Sequence, residues 1–70
     1  MDFELKDEYI ELDNLLKAAN FAGSGAQAKQ FILSGSIKVN GQVEARVRRK
    51  LRAGDSVEFG ERRIKIVAAQ

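Results

Sequence analysis

Residues 23–41 read GSGAQAKQFILSGSIKVNG, and this stretch decides the fold. Ser24 is a residue type preferred at helix N-caps, and Gln27 follows at the spacing of a capping box. Gly35 lies where a helix would end in the left-handed conformation that glycine tolerates. Asn40-Gly41 is the strongest short signal for a hairpin turn, because both central positions need a positive φ. The stretch therefore predicts a helix, a short strand and a tight hairpin.

The residues before this stretch predict a first helix and an edge strand. Phe3 and Leu5 alternate with polar residues, which favours a short strand at a sheet edge. A helical spacing of apolar residues then follows, at Leu12, Leu15, Leu16 and Ala19. We expect this helix to start near residues 9–12, to end before Gly23, and to pack against the second helix because the connection is short.

After Gly35 the apolar period changes from helical spacing to alternation. Ile37 and Val39 share one face of a strand, Lys38 points to the other face, and residues 42–45 return as the partner strand. Two more alternating strands follow turns, and their signals are Gly54-Asp55, Val57, Phe59, Gly60-Glu61, Ile64 and Ile66. The order predicts an α+β fold of two packed helices followed by a small antiparallel sheet. We expect one domain over residues 1–70, with a core motif at about residues 10–59.

The composition excludes most catalytic chemistry. The chain has no cysteine and no histidine, which removes thiol nucleophiles, disulfides, histidine-based triads and the commonest metal ligand. Glu8, Glu11 and Asp13 could pair as catalytic carboxylates, but acids beside a helix start are ordinarily solvated and favoured there by the helix dipole. No calcium-loop spacing occurs. We expect no catalytic residue, no metal and no cofactor.

The N-terminal segment and the hydropathy predict the location of the protein. Residues 1–13 are acidic, where a signal or transit peptide would be basic. No apolar run approaches the roughly 18 residues that a membrane helix needs. We therefore expect a cytoplasmic protein without a membrane partner.

Charge is unevenly distributed along the chain. Residues 1–13 contain six acids and one base, whereas residues 14–70 contain eleven bases and four acids, a net charge of +7. Such an asymmetry suggests a polyanion as the partner of the basic part. Charge alone leaves an ordinary solvated surface open as the alternative.

The start of the second helix is a candidate phosphate contact. Free backbone N–H groups at a helix N-terminus bind anions, and Ser24 caps this one. Gly23 and Gly25 flank that serine, but the loop lacks the Gly-Lys-Ser/Thr ending of a nucleotide-binding loop, and no strand precedes it. We expect a single contact to an RNA phosphate here and no small-molecule substrate. A capping turn without a ligand is the alternative.

Basic side chains supply the other candidate contacts. Lys29 follows the apolar Ala28 and should face outward from the second helix, and Lys38 should project from the hairpin. A dense basic run comes next, with Val47 and Leu51 as apolar anchors, and consists of Arg46, Arg48, Arg49, Lys50 and Arg52. Contacts between such side chains and phosphates contribute affinity for a nucleic acid that is sensitive to salt and independent of the nucleotide sequence.

Aromatic residues for base stacking are scarce. The chain has no tryptophan and one tyrosine, and Phe31 and Phe59 sit on apolar faces where we expect them in the core. Recognition of structured RNA by its shape and backbone fits this composition better than reading of unpaired bases.

Several motifs together resemble the S4 domain, the RNA-binding module of a small-subunit ribosomal protein, also called the alpha-L motif. They are Leu12-Asp13-x-Leu15, Ala22-x-Ser24, Ala28, Ile32, the run from Gly35 to Gly41, and Leu51-x-x-Gly54-Asp55-x-Val57. The length and the GSGAQAK variant look most like small stand-alone bacterial members. The resemblance implies that RNA lies across the second helix and the hairpin, with contacts at Ser24, Lys29 and Lys38.

Two positions depart from the pattern of this family. The family usually has an arginine where Gly25 stands and often a basic residue where Glu11 stands. Two contacts that the resemblance implies are therefore missing. We hypothesise that the dense basic run of residues 46–52 compensates for them.

These observations favour a non-enzymatic, monomeric protein that binds structured RNA, such as ribosomal or transfer RNA. Gly25 and Glu11 keep a second hypothesis open, a protein-interaction adaptor with a degenerate RNA-binding surface. A β-grasp carrier is disfavoured, because such carriers need a C-terminal Gly-Gly and this chain reads Ala68-Ala69-Gln70.

Overall fold

Two short helices pack on one face of a twisted sheet in the computed structural model, which describes residues 1–69. The helices come early in the chain, and strands both precede and follow them. The elements in chain order are β1 (Asp2–Leu5), β2 (Ile10–Glu11), α1 (Leu12–Ala18), α2 (Gly25–Leu33), β3 (Ile37–Val39), β4 (Gln42–Val43), β5 (Lys50–Leu51), β6 (Ser56–Phe59) and β7 (Arg62–Ala68).

The main sheet has five strands in the order β1-β7-β6-β3-β4, and β2 pairs with β5 in a separate two-stranded sheet. Strand β1 runs parallel to β7, with Asp2 opposite Lys65 and Leu5 opposite Ala68, and the other pairs are antiparallel. The prediction of two helices with a sheet is confirmed, and β1 is an edge strand as expected. The prediction of a small, purely antiparallel sheet after the helices is wrong. Pairing between the first and last strands joins residues far apart in sequence, which no local pattern encodes.

The ends of both helices follow from residues in the left-handed conformation. Gly35 has φ 81°, and the N–H groups of Gly35 and Ser36 donate to the carbonyls of Ile32 and Phe31 at 3.2 Å each, which is a Schellman motif. Helix α1 ends in the same way at Asn20, whose φ is 62°. That asparagine explains why α1 ends at Ala18, well before Gly23.

The hairpin between β3 and β4 forms at the predicted turn. Asn40 and Gly41 have φ values of 52° and 86°, as a type I′ turn requires. Strand β4 is shorter than the expected residues 42–45, although the N–H of Glu44 still donates to the carbonyl of Ile37 at 3.0 Å.

The core lies between the helices and one face of the sheet. Phe31 and Phe59 pack against its edge with ring centroids 4.7 Å apart. Both are half-buried, whereas the sequence predicts them inside the core. The largest fully enclosed side chains from both layers are Leu12, Leu15, Leu16, Ile32, Ile37, Val39, Leu51, Val57, Ile64 and Ile66. Alternate residues of the strands therefore face the helices, and the residues between them face away.

Two structural features of residues 1–69 concern membranes and metal ions. Neither helix in this range has the length and apolar character that crossing a bilayer requires. Within the same residues, no three acidic side chains converge in an arrangement that could hold a metal ion.

Candidate nucleic-acid interface

Side chains occupy part of the N-terminus of α2. The Ser24 hydroxyl accepts the N–H of Gln27 at 3.1 Å, and the Gln27 side-chain oxygen accepts the N–H of Gly23 at 2.6 Å. The predicted cap is therefore confirmed, with the glutamine reaching one residue further back than in the usual capping box. Because the Ser24 oxygen accepts within its own helix, its hydroxyl hydrogen is the group left to donate to a phosphate.

Lys17, which is not among the predicted site residues, lies beside this helix start. A Cβ atom added to Gly25 would lie 3.9 Å from the Nζ atom of Lys17. The last turn of α1 thus carries a positive charge close to the position where the family resemblance implies an arginine. The connection between the helices is short, and a lysine in the last turn of α1 is the signal that could have identified this neighbour.

Lys29 faces solvent from the middle of α2, as predicted. Ala28 and Ile32 on the opposite side of the helix are fully buried, and Leu33, one turn after Lys29, is 59% exposed. Among residues 1–69, no carboxylate forms an ion pair with Lys29. This ammonium group is therefore available to a phosphate without breaking an internal contact.

Lys38 is also exposed, but it projects from the other layer of the molecule. Its neighbours Ile37 and Val39 are buried against the helices, so its side chain points to the outer face of the sheet. It lies opposite Glu58 of β6 and Val43 of β4 in the strand register. Lys29 and Lys38 therefore lie on different layers of the molecule, the first on the helices and the second on the outer face of the sheet.

Glu44 binds two members of the basic run. Its side chain is 9% exposed, and it accepts Nε of Arg46 at 3.0 Å and a terminal guanidinium nitrogen of Arg49 at 2.6 Å. The side-chain hydrogen bonds from Arg46, and then those from Arg49, lower the pKa of Glu44 to about 2. One buried carboxylate thus offsets part of the charge of two arginines, which the sequence analysis had treated as free.

Two further members of the basic run, Lys50 and Arg52, lie close to the N-terminal segment. Lys50 Nζ and Arg52 Cζ are 4.8 Å and 5.9 Å from the ring centroid of Tyr9. Arg52 also donates from its guanidinium to the Glu8 carbonyl at 3.4 Å. An open groove of about 520 Å³ collects most of the run, and its lining residues are Arg46, Arg48, Arg49 and Lys50. The structure therefore brings four of the five predicted residues to one open surface.

A network at the hairpin turn connects it to the basic run. The Asn40 side chain donates to Asp55 at 3.0 Å and accepts the N–H of Ser56 at 2.9 Å, and Asp55 accepts the N–H of Arg52 at 2.8 Å. Partial burial acts to raise the pKa of Asp55, but the hydrogen bonds from Arg52 and Asn40 outweigh it and lower that pKa. The Asn-Gly and Gly-Asp signals of the sequence thus meet in one structural unit.

Comparison with known proteins identifies the family. The model of the S4 domain matches residues 3–67, nearly the whole chain. The chain belongs to the S4 domain family, as the sequence motifs suggested.

The chain is similar to small bacterial proteins and to part of a ribosomal protein. It is 44% identical over 63 residues to YbcJ of Escherichia coli, which carries the name of an RNA-binding protein, and equally to YbcJ of Shigella flexneri, covering 90% of each chain. It is 40% identical over 53 residues to the small ribosomal subunit protein uS4m of Schizosaccharomyces pombe, where the match covers 76% of this chain and 16% of the relative.

A solved structure shares the fold. The solution structure of Escherichia coli YbcJ, described as containing an alpha-L motif involved in RNA binding, matches with a TM-score of 0.74 at 44% identity. The match covers 96% of this chain and 86% of that one.

Proposed function

We propose that this protein is a non-enzymatic RNA-binding protein that recognises folded RNA and acts as a cytoplasmic monomer. The observation that carries the proposal is membership of the S4 domain family over residues 3–67. The fold shared with YbcJ, whose alpha-L motif is described as involved in RNA binding, points the same way. Which RNA is bound is part of the proposal: folded RNA of the ribosomal or transfer type.

Binding in this proposal is mainly electrostatic. Within residues 1–69, neither Lys17 nor Lys29 forms an ion pair, and the groove of residues 46–50 lies next to the start of α1. The N–H groups of Leu12 and Asp13 donate to the carbonyls of Arg49 and Val47 at 2.9 Å and 3.1 Å, so the basic run is attached to α1. Contacts to phosphates position the RNA without reading its sequence, and the rigid arrangement of cations selects its shape.

A salt titration with matched variants tests this function. The wild type and a Lys29→Gln/Lys38→Gln variant are titrated with an RNA hairpin and with an unstructured RNA of the same composition. The control variant, Lys6→Gln/Lys65→Gln, removes the same two charges from other exposed positions. We expect the hairpin to bind more tightly, and loss of Lys29 and Lys38 to reduce the salt slope by about 0.7 to 0.9 per lost contact.

Two results would contradict the proposal. One is an affinity of the wild type that is insensitive to salt, and the other is an equal loss of affinity in the control variant. A pull-down from cells whose partners survive nuclease treatment would favour the adaptor hypothesis instead. That hypothesis was based on Gly25 and Glu11, and Lys17 beside Gly25 weakens its basis.

A further inference from the structure

Tyr9 is an aromatic side chain that the hydrophobic core does not use. The four phenylalanines are buried in the core or packed against its edge, whereas Tyr9 is 39% exposed and belongs to neither group. An exposed aromatic ring beside basic residues has the composition of a stacking platform for a nucleobase.

The position of the Tyr9 ring is set by its neighbours. Strand β2 follows it directly, and Ile10 and Glu11 pair with Leu51 and Lys50 in the two-stranded sheet. Leu51 is fully buried, so this small sheet is anchored to the core. Lys50 then lies 4.8 Å from the ring centroid of Tyr9, within the range of a cation–π contact. The ring is therefore held in place before any ligand arrives.

Tyr9 stands at the boundary between two grooves of opposite charge. On one side, Lys50 continues into the basic groove of about 520 Å³ that includes Arg46 and Arg48. On the other side is a groove of about 490 Å³, lined by Asp7, Glu8, Tyr9, Ile10, Glu11 and Asn14. Phosphates are attracted to the first groove and repelled from the second, which leaves the Tyr9 ring as the place for an uncharged base.

We propose that Tyr9, with Lys50 and Arg52, binds one unpaired nucleotide next to the folded part of the RNA. The base stacks on the Tyr9 ring, and its phosphates lie on the side of the basic groove. This inference rests on the proposed function and names the class of RNA: a helix interrupted or flanked by an unpaired nucleotide, such as a bulge. Helix α1, about 10 Å long at seven residues, separates this subsite from Lys17 and the start of α2.

Two RNA hairpins that differ by a single bulged nucleotide test the inference, with the wild type, Tyr9→Phe and Tyr9→Leu. Phenylalanine keeps the stacking ring, and leucine keeps an apolar side chain without one. We expect the wild type and Tyr9→Phe to prefer the bulged hairpin by about tenfold, within the range measured for stacking of one base. Tyr9→Leu should bind the two hairpins equally.

Nuclear magnetic resonance supplies a direct readout, because Tyr9 is the single tyrosine of the chain and its ring signals are unambiguous. We expect these signals to shift upfield with the bulged hairpin and much less with the unbulged one. Equal affinity of the wild type for both hairpins, or unshifted ring signals in the bulged complex, overturns the inference while the proposed function stands. Failure of the wild type to bind either hairpin overturns both. Far-ultraviolet circular dichroism shows whether Tyr9→Leu is folded. If it is unfolded, the affinities of the wild type for the bulged and unbulged hairpins test the inference by themselves.

Discussion

The surface of the helices and the basic run of residues 46–52 carry charge in opposite ways. The basic run has five cations in seven residues, but Arg46 and Arg49 share Glu44, and Lys50 and Arg52 lie over Tyr9. The helices have few cations, yet Lys29 is exposed and has no ion-pair partner within residues 1–69. The density of charge in a sequence is therefore a poor measure of the charge that is available to a ligand.

Ion pairs explain this difference, because the carboxylate of an ion pair competes with a phosphate for the same cation. A phosphate that approaches Arg46 or Arg49 has to share the guanidinium with a buried carboxylate, so each contact gains less free energy. In return, these arginines are held in fixed positions, which lowers the entropy lost on binding. We expect the helices to contribute more to affinity and the basic run more to orientation.

The largest expected effect comes from reversing charges on the helices. Lys17→Glu with Lys29→Glu should weaken binding of an RNA hairpin about 100-fold at low salt, because two attractive contacts become repulsive. Arg46→Gln with Arg49→Gln should weaken it only about fivefold, since Glu44 already offsets part of their charge. Fluorescence anisotropy titrations at matched salt measure both, with Lys6→Glu/Lys65→Glu as the control for net charge. Equal losses in the two variants would remove the distinction between the regions.

A smaller effect, on stability, should come from Glu44. Glu44→Gln weakens the charge-assisted bonds to Arg46 and Arg49, and we expect it to lower the free energy of unfolding by about 1.5 to 3 kcal/mol at pH 7. Urea denaturation measures the change, and Glu61→Gln at an exposed turn is the control. A change in Glu44→Gln no larger than in the control would mean that the ion pairs do not stabilise the fold.

The ion pairs of Glu44 also predict how the stability of the protein depends on pH. The pKa of Glu44 is lowered from 4.5 to about 2 in the folded protein, so its stabilising effect is complete above pH 4.5 and is lost as the pH falls towards 2. Denaturation curves over this range should show the wild type approaching Glu44→Gln in stability as the pH falls. A constant difference between the two proteins from pH 6 to pH 2 would contradict the assignment.

Asn40 links the hairpin turn to the basic run, and its loss should have a moderate effect. Asn40→Ala removes the bonds to Asp55 and Ser56 and places alanine at a φ of 52°, so we expect a loss of about 1 to 2 kcal/mol. Thermal denaturation measures it. Asn40→Gly is the informative companion, because it accepts the turn geometry and lacks only the side-chain bonds. Similar losses in both variants would assign the effect to the bonds and not to the backbone.

The smallest expected effect concerns Gly25. Gly25→Arg should raise the affinity for an RNA hairpin by about three- to tenfold, by adding a cation next to Lys17. Stability should change by less than about 1 kcal/mol, because the helix propensity gained is offset by a positive charge at a helix N-terminus. The new Cβ meets the Nζ atom of Lys17 at 3.9 Å, an ordinary contact. Unchanged affinity would mean that Lys17 already satisfies the RNA at this position, and Gly25→Gln is the uncharged control.

The parts of the fold that could be predicted are those set by neighbouring residues. The cap at Ser24, the helix end at Gly35 and the turn at Asn40-Gly41 are confirmed, because each depends on the backbone preferences of one or two residues. The parallel pairing of β1 with β7 could not be predicted, because it joins residues more than sixty positions apart. The exposed positions of Lys29 and Lys38 also followed from local periodicity.

The arrangement of the candidate site could be predicted less well from the sequence. Tyr9 below Lys50 is a contact between distant segments, and no spacing along the chain signals it. Glu44 is close in sequence to Arg46 and Arg49, but the sequence does not show that its carboxylate is buried and paired with both. Lys17 beside Gly25 had one signal, a lysine in the last turn of α1 followed by a short connection. The scarcity of aromatic residues argued against base stacking, yet the single tyrosine is exposed and flanked by cations. Composition counts side chains, but it cannot say which of them the core leaves free.

The sequence by itself determined the helices, the turns and the S4 family, because these depend on local conformational preferences and on motifs of fixed spacing. Only the tertiary structure decided the shape of the sheet and which charges are available. The free energy of a charge depends on the groups within a few ångströms of it, and those groups come from distant parts of the chain. Lys50 is the clearest case, since its Nζ atom lies 4.8 Å from the ring centroid of Tyr9, which belongs to the N-terminal segment.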